Sequence, residues 1–131
     1  MPAIPSNSAS WIPPSSNDSA ALQTAIDARS GTSAWVTLAP GASYTLTSAV
    51  QMKSGMRLDI PGGTVINVAG INAFTDANTA VSDVVVRGGG TIVDSAVSTG
   101  ASNGFLFDAD TGSQASDVLI EDIRFVGGWR G

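Results

Sequence analysis

The tightest pair of carboxylates in the chain is Asp108 and Asp110, which are separated by one residue and followed by Gly112. Such a pair is typical of the start of a calcium-binding loop, but the EF-hand pattern requires a glutamate at its twelfth position, where this chain has Leu119. The alternative is an acidic turn between two strands, and we favour it. We therefore expect no metal site here and retain both aspartates only as candidate carbohydrate contacts.

A second pair of aspartates stands in two similar contexts. Asp83 and Asp117 each follow a serine and precede a valine. If their strands stack, the two carboxylates could lie at the roughly 5 to 9 Å that a glycosidase needs across a sugar. Because aspartate also favours the bend before a strand, two equivalent turn residues explain the repeated context more simply. We predict turn aspartates at both positions.

The residue types that the chain lacks exclude several kinds of chemistry. The sequence contains no histidine and no cysteine, which excludes catalytic triads with either residue, thiolate or imidazole zinc sites, disulfides and histidine pH switches. Six basic and eleven acidic residues give a net charge of −5, the opposite of the basic footprint that nucleic acids and anionic membranes attract. We expect no cofactor, no nucleic-acid partner and no membrane insertion.

Two aromatic positions are candidate contact residues. Trp11 and Ile12 are the only bulky pair in residues 1–16, a Pro-, Ser- and Asn-rich segment that we interpret as an extended arm. The pair could anchor the arm to a partner or pack it on the chain itself. Trp129 is a candidate interface residue or sugar platform, and the interface is the favoured use. The first residues lack the basic and apolar regions of a secretory signal, so none is expected.

Residues 17–31 carry the pattern of one short helix. Asn17 can cap its N-terminus through the side chain, and Gly31 is a suitable stop. Leu22 and Ile26 lie four residues apart and therefore share one face. Because so short a helix is marginal alone in water, we predict that this face packs on the rest of the fold.

From Trp35 onward the sequence consists of short β-rich segments, and these segments repeat. Gly62–Asn67 (GGTVIN) recurs as Gly89–Asp94 (GGTIVD), an offset of 27 residues. The five residues from Ser82 (SDVVV) recur from Ser116 (SDVLI), an offset of 34 residues. A backbone that returns to the same register every 20 to 35 residues or so is typical of a solenoid, and it argues against a sandwich or a barrel.

Alternation within the repeated segments predicts two faces for the strands. One face forms an aliphatic column that runs inward from strand to strand, and the other face is polar and points outward. The predicted inward side chains are those of Met56, Leu58, Ile60, Val84, Val86, Val118 and Ile120. The predicted outward side chains are those of Arg57, Asp59, Arg87 and Glu121.

Several segments carry a resemblance to a known family. Asn17–Ala28 (NDSAALQTAIDA) is followed by Trp35–Tyr44 (WVTLAPGASY). Together they resemble the opening of the pectin-lyase-like right-handed parallel β-helix family, in which a helix of related sequence caps the first coil. The segments Val86–Asp94 and Asp117–Phe125 are similar to the repeating coils of that family. The resemblance extends over about residues 17–126.

The resemblance implies a fold class and domain limits. The expected architecture is all-β, a right-handed single-stranded parallel β-helix of about four coils with an N-terminal capping α-helix. The expected division is an extended arm at residues 1–16, the capping helix at 17–31 and the coils at 32–131. This fold carries lyases, hydrolases, adhesins and viral spikes, so it does not by itself imply an activity.

The enzymes of the family carry motifs that this chain lacks. Their polysaccharide lyases use an arginine base with calcium-binding aspartates, and their hydrolases use an aspartate cluster with a histidine and a lysine-bearing motif. Neither motif is found in this sequence, and histidine is missing altogether. We therefore expect no catalytic residues in this chain and no enzyme activity.

These observations lead to an expected function. Viral members of the family generally form homotrimers, and phage proteins leave the cell by lysis without an export signal. We expect a virion structural protein of a tailed phage, a homotrimeric tailspike-like or capsid-decorating (cement) module that contacts other capsid or tail proteins and host surface polysaccharide. Two alternatives stay open: the N-terminal part of a polysaccharide-degrading enzyme, either a depolymerase or a pectinase-like protein, and a non-catalytic carbohydrate-binding adhesin.

Overall fold

The computed structural model describes residues 11–96, 103–107 and 115–127. In these ranges the chain consists mainly of short strands, with one helix, α1, at Asp18–Arg29. The strands are β1 (Trp11–Ile12), β2 (Val36–Leu38), β3 (Ser43–Thr45), β4 (Val50–Gln51), β5 (Arg57–Asp59), β6 (Val65–Val68), β7 (Phe74–Thr75), β8 (Ser82–Arg87), β9 (Thr91–Asp94), β10 (Phe105–Leu106), β11 (Ser116–Ile120) and β12 (Arg124–Gly127).

The strands form three parallel sheets, which the chain visits in a fixed cyclic order. The five-stranded sheet has the order β1-β2-β5-β8-β11, the four-stranded sheet has the order β12-β9-β6-β3, and the three-stranded sheet has the order β10-β7-β4. From β2 onward each sheet therefore receives every third strand. We call one passage through the sheets a circuit: β2 to β4 form the first, β5 to β7 the second, β8 to β10 the third, and β11 and β12 belong to the fourth. This arrangement confirms the predicted all-β parallel class.

The strand registers reproduce the sequence repeats. Val65–Val68 pairs residue for residue with Thr91–Asp94, and Ser82 is the partner of Ser116. Parallel neighbours require a connection of a dozen or more residues, and the remainder of each circuit supplies it. The repeat found in the sequence is therefore a repeat of strand position.

The predicted inward column is present, and its burial decreases toward the fourth circuit. Val118 and Ile120 in β11 keep the register of the column but are only half-buried. Within the described ranges β11 is an edge strand, so nothing covers its far side. The members in the second and third circuits are completely buried: Met56, Leu58, Ile60, Val84 and Val86.

Helix α1 covers the first circuit. The Asn17 side chain accepts a backbone hydrogen bond from the first turn at 3.3 Å, as expected for an N-cap. Leu22 and Ile26 are both completely buried, and the helix packs against β2, β3, β4 and β5. The helix ends at Arg29, two residues before Gly31. The predicted packing of its apolar face is confirmed.

Residues 11 and 12 are extended and belong to the five-stranded sheet. Strand β1 pairs in parallel with β2, which places Trp11 opposite Thr37. Ile12 is half-buried and packs against the core, and its carbonyl oxygen accepts a hydrogen bond from the Tyr44 hydroxyl. The same hydroxyl accepts a hydrogen bond from the Ala39 amide at 2.7 Å. Tyr44 thus ties β1 to the first circuit.

Candidate functional site

The candidate sugar contacts predicted from the sequence cannot be placed. Asp108, Asp110 and Trp129 lie outside the described residues. Trp11 and Ile12, the candidate anchor pair, lie in β1 at the edge of the five-stranded sheet. The functional site described below is therefore made of other residues.

Asp83 and Asp117 occupy equivalent positions at the starts of β8 and β11. They follow the register partners Ser82 and Ser116, and both have a left-handed backbone, with φ of 59° and 53°. Aspartate tolerates this conformation because its short polar side chain can hydrogen-bond locally. Gly55, which holds the corresponding place one circuit earlier, has φ of 78°. The two positions are equivalent, as the repeated context indicates, but each aspartate is the second residue of its strand and forms a left-handed kink there, not a turn before the strand.

Arg57 contacts one of these aspartates, Asp83. Its Nη2 atom donates to the Asp83 carboxylate at 2.7 Å, and its Nη1 atom donates to the Asp83 carbonyl at 2.7 Å. The Asp83 side chain is largely exposed, so water screens the ion pair and its contribution to stability is small. The contact ties Arg57 of β5 to the start of β8, and it occupies both the guanidinium group and the carboxylate.

A row of polar side chains crosses the outer face of the five-stranded sheet. Thr37 is the register partner of Asp59, and Asp59 is the register partner of Arg87. Glu121 continues the row, because the preceding residue of β11, Ile120, pairs with the residue before Arg87. We call Thr37, Asp59, Arg87 and Glu121 the polar column. Glu121 is exposed and Arg87 is half-buried, as expected for outward side chains, whereas Asp59 is buried.

The polar column contains buried polar atoms without partners. Asp59 is 1% exposed and Thr37 is 2% exposed, although both lie on the outer face of the sheet. Both carboxylate oxygens of Asp59, the Thr37 hydroxyl and the Nε atom of Arg87 lack a hydrogen-bond partner in the described part of the chain. Buried polar atoms in folded proteins are nearly always hydrogen-bonded. Buried polar atoms without partners on three adjacent strands are therefore unusual, and they mark this part of the five-stranded sheet as a candidate site.

Two side chains from other circuits form a roof over Asp59. The guanidinium carbon of Arg87 lies 4.6 Å from the ring centroid of Trp35, in a cation–π contact. Trp35 directly precedes β2 and Arg87 ends β8, and β5 with Asp59 lies between these two strands. The contact between the two side chains therefore spans β5. Sequence alternation gives the outward direction of Asp59 but not this roof.

The environment of Asp59 favours its neutral form. Burial raises the pKa of the Asp59 carboxyl above its usual range, and the positive charge of Arg87 opposes this effect without cancelling it. The folded chain therefore holds this proton at pH values where the unfolded chain has lost it. The free energy of unfolding decreases as the pH rises from the unfolded pKa through the folded pKa, and the penalty is fully present above the folded pKa.

A cleft of about 500 Å³ opens beside the roof, between the third and fourth circuits. Two arginines and two carboxylates line it, and none of these four forms an ion pair within the described residues. Four such charges around one cleft can hydrogen-bond a polar ligand that offers both donors and acceptors. The lining residues are Arg87, Gly88, Gly89, Glu121, Asp122, Ile123 and Arg124.

Gly88 separates the cleft from the buried carboxylate. A Cβ atom at this position would lie 2.3 Å from the Ile60 carbonyl oxygen and 2.9 Å from Oδ1 of Asp59. The backbone φ of Gly88 is 134°, which side-chain-bearing residues rarely adopt. Only glycine allows the chain to leave β8 so close to the end of β5. Asp59 therefore lies behind the cleft wall and does not line the cleft.

In the described ranges, no group of three or more acidic, histidine or cysteine side chains could hold a metal ion. The described helix is too short to cross a membrane. Comparisons with protein-family models, with curated proteins and with solved structures find no match to this chain. A function must therefore be argued from the chain's own residues.

Proposed function

We propose that the chain is a non-catalytic structural module of a tailed-phage particle, a right-handed parallel β-helix displayed as a tailspike-like or capsid-decorating protein. One observation carries this proposal, the difference between the two ends of the described stack. Helix α1 covers the first circuit, whereas the fourth circuit presents apolar side chains to solvent. These are Leu119, Phe125 and Val126, with exposed fractions of 48%, 43% and 38%.

The exposed circuit is a surface on which further β-structure can stack. Strand β11 is an edge strand in the described residues, so its outer backbone groups have no strand partner there. An edge with apolar side chains readily pairs with another strand. Whether the covering segment comes from the same chain or from a neighbour, the unit serves to extend a stack, which is a structural role.

The assignment to a phage particle is supported by the resemblance of residues 17–126 to the pectin-lyase-like family. Viral members of that family are generally homotrimers, and we extend this oligomeric state to the present chain. The partners are then two further copies, other capsid or tail proteins, and host surface polysaccharide. The location is the virion. Enzyme activity is not part of the proposal.

A second candidate function, glycan binding without turnover, is favoured by the cleft beside Arg87. Its arginines and carboxylates can hydrogen-bond sugar hydroxyls, and Glu121, Asp122 and Arg124 are all exposed to solvent. The ring of Trp35 is already covered on one face by Arg87, so it is not a free stacking platform. This adhesin function is compatible with display on a particle.

Light scattering on the purified chain tests the structural proposal. We expect a particle of three times the chain mass of 13.2 kDa. A chain that stays monomeric up to high micromolar concentrations would contradict the trimer.

Incubation with bacterial capsular polysaccharides tests the catalytic alternative. We expect no release of reducing ends, and release by the purified chain would contradict the non-catalytic assignment. Saturable binding without release would favour the adhesin. In that case Arg124→Ala should weaken binding, whereas Lys53→Ala should not, because Lys53 lies outside the cleft and faces Asp27 of α1 at 3.9 Å.

A further inference from the structure

We propose that the polar column binds one ordered water molecule beneath the Trp35–Arg87 roof, held by Thr37, Asp59 and Arg87. This site shares Arg87 with the cleft but lies behind the cleft wall, and it is independent of the proposed particle function. It would join three successive circuits of the five-stranded sheet across their outer face.

The unpartnered atoms are close neighbours by the register of the sheet. Thr37 lies beside Asp59, and Asp59 lies beside Arg87. Adjacent strands are about 4.8 Å apart, which exceeds the length of a direct hydrogen bond between side chains that stand upright from the sheet. One molecule on Asp59 reaches Thr37 on the adjacent strand, and it reaches the Nε atom of Arg87 because that side chain leans across β5 toward the Trp35 ring.

The chemistry of these atoms matches the hydrogen-bonding capacity of water. In either protonation state the Asp59 carboxyl keeps an oxygen that accepts a hydrogen bond, the Nε–H group of Arg87 only donates, and the Thr37 hydroxyl does both. A water molecule can donate to the carboxylate while it accepts from the arginine and the threonine. Buried waters typically make about three hydrogen bonds to polar groups that would otherwise lack partners, which is the number available here.

The charges of the site argue against an ion. Arg87 already supplies one positive charge beside Asp59, so a bound cation would add a second in a place shielded from solvent. The Nε–H group of Arg87 is moreover a donor, whereas a metal ion would need acceptors. A bound anion would be repelled by the carboxylate of Asp59. A neutral molecule that both donates and accepts hydrogen bonds satisfies all three residues.

The position of Arg87 gives the site its roof. Because the guanidinium group lies over the Trp35 ring, it passes above Asp59 instead of forming an ion pair with it. The Nε atom lies nearer the backbone than the guanidinium carbon and is itself shielded from solvent. A molecule on Asp59 would therefore exchange slowly with bulk water, because the arginine must first leave the ring.

A crystal structure at about 1.5 Å resolution or better tests the proposal directly. We expect density for one water within about 2.6–3.2 Å of an Asp59 oxygen and at the same distance from Arg87 Nε or Thr37 Oγ1. A direct Asp59–Arg87 ion pair with no such density would overturn the proposal. Density with the shorter, many-oxygen coordination of a metal ion would also overturn it.

Magnetic relaxation dispersion of water nuclei provides a test in solution, since it counts long-lived internal waters. Thr37→Val keeps the shape of the side chain and removes one partner, so the residence time of one water should fall by about tenfold, the equivalent of one hydrogen bond. Asp59→Leu should remove that water from the count. Thr91→Val, on the half-buried face of β9, should change neither quantity. Identical dispersion profiles for the unmodified chain and a folded Thr37→Val variant would refute the site.

Discussion

Val84 and Val118 offer a matched test of the inward column. They are register partners in the same column, one on β8 in the third circuit and the other on β11 in the fourth. Val84 is completely buried, whereas Val118 is half-buried. The same substitution, valine to alanine, therefore removes the same atoms from two environments that differ mainly in burial.

The expected loss of stability follows from the buried atoms. Valine to alanine removes two methyl groups, which contribute about 0.8 kcal/mol each when fully buried. At Val84 a residual cavity between two covered circuits adds to this loss, so we expect the free energy of unfolding to fall by about 2 kcal/mol. At Val118 only part of the side chain leaves water and no enclosed cavity forms, so we expect less than about 1 kcal/mol.

Urea unfolding followed by circular dichroism measures both values, and thermal unfolding checks them. A difference of 1 kcal/mol corresponds to a shift of about 3–5 °C in Tm for a chain of this size. Val85 follows Val84 in β8 and points to the opposite, outward face, so Val85→Ala controls for the lower β-propensity of alanine. Equal losses at Val84 and Val118 would refute the reasoning, because they would mean that the fourth circuit is as well covered as the third.

Three further predictions concern the inward column, Gly88 and Asp59. Val86→Asp should unfold the chain because it buries an unpaired charge. Ile120→Asp should lower Tm by much less because Ile120 is half-buried. Equal Tm values for the two variants would contradict the difference in burial. Gly88→Ala should prevent folding or lower the free energy of unfolding by more than about 3 kcal/mol, because the new Cβ would lie 2.3 Å from a backbone oxygen. Gly41 has φ of 73° but open space around it, so Gly41→Ala should lower the free energy of unfolding by only about 1 kcal/mol in the same urea titration. Asp59→Asn should raise stability at pH 7 and flatten the decrease in stability between acid and neutral pH, as measured by unfolding at several pH values. A loss of stability at pH 7 would show that attraction to the arginine outweighs burial.

Local patterns were sufficient to predict the elements that depend on local residues. Helix α1 could be recognised because its cap, Asn17, and its apolar pair, Leu22 and Ile26, are all close in sequence. The inward column could be recognised because alternation and repetition act together: Val84 and Val118 recur in the same five-residue context. Both patterns reflect the periodicity of a single element.

The features that the sequence did not reveal depend on contacts between circuits. Trp35 and Arg87, which meet across the strand of Asp59, are 24 and 28 residues away from it in sequence, and no alternation pattern predicts which side chain will cross a neighbouring strand. The pairing of β1 with β2 rests on only two residues on each strand, too few for a periodic signal. The cleft likewise joins turns of two circuits.

The most direct test of the proposed function is the location of the chain itself. Phage particles from a lysate that contains the chain can be purified by density gradient, washed at high salt and analysed by quantitative mass spectrometry. We predict that its peptides sediment with the particles, at a copy number per particle that is a multiple of three. Recovery of the chain only in the particle-free fraction of the lysate would contradict its assignment as a structural protein of the virion.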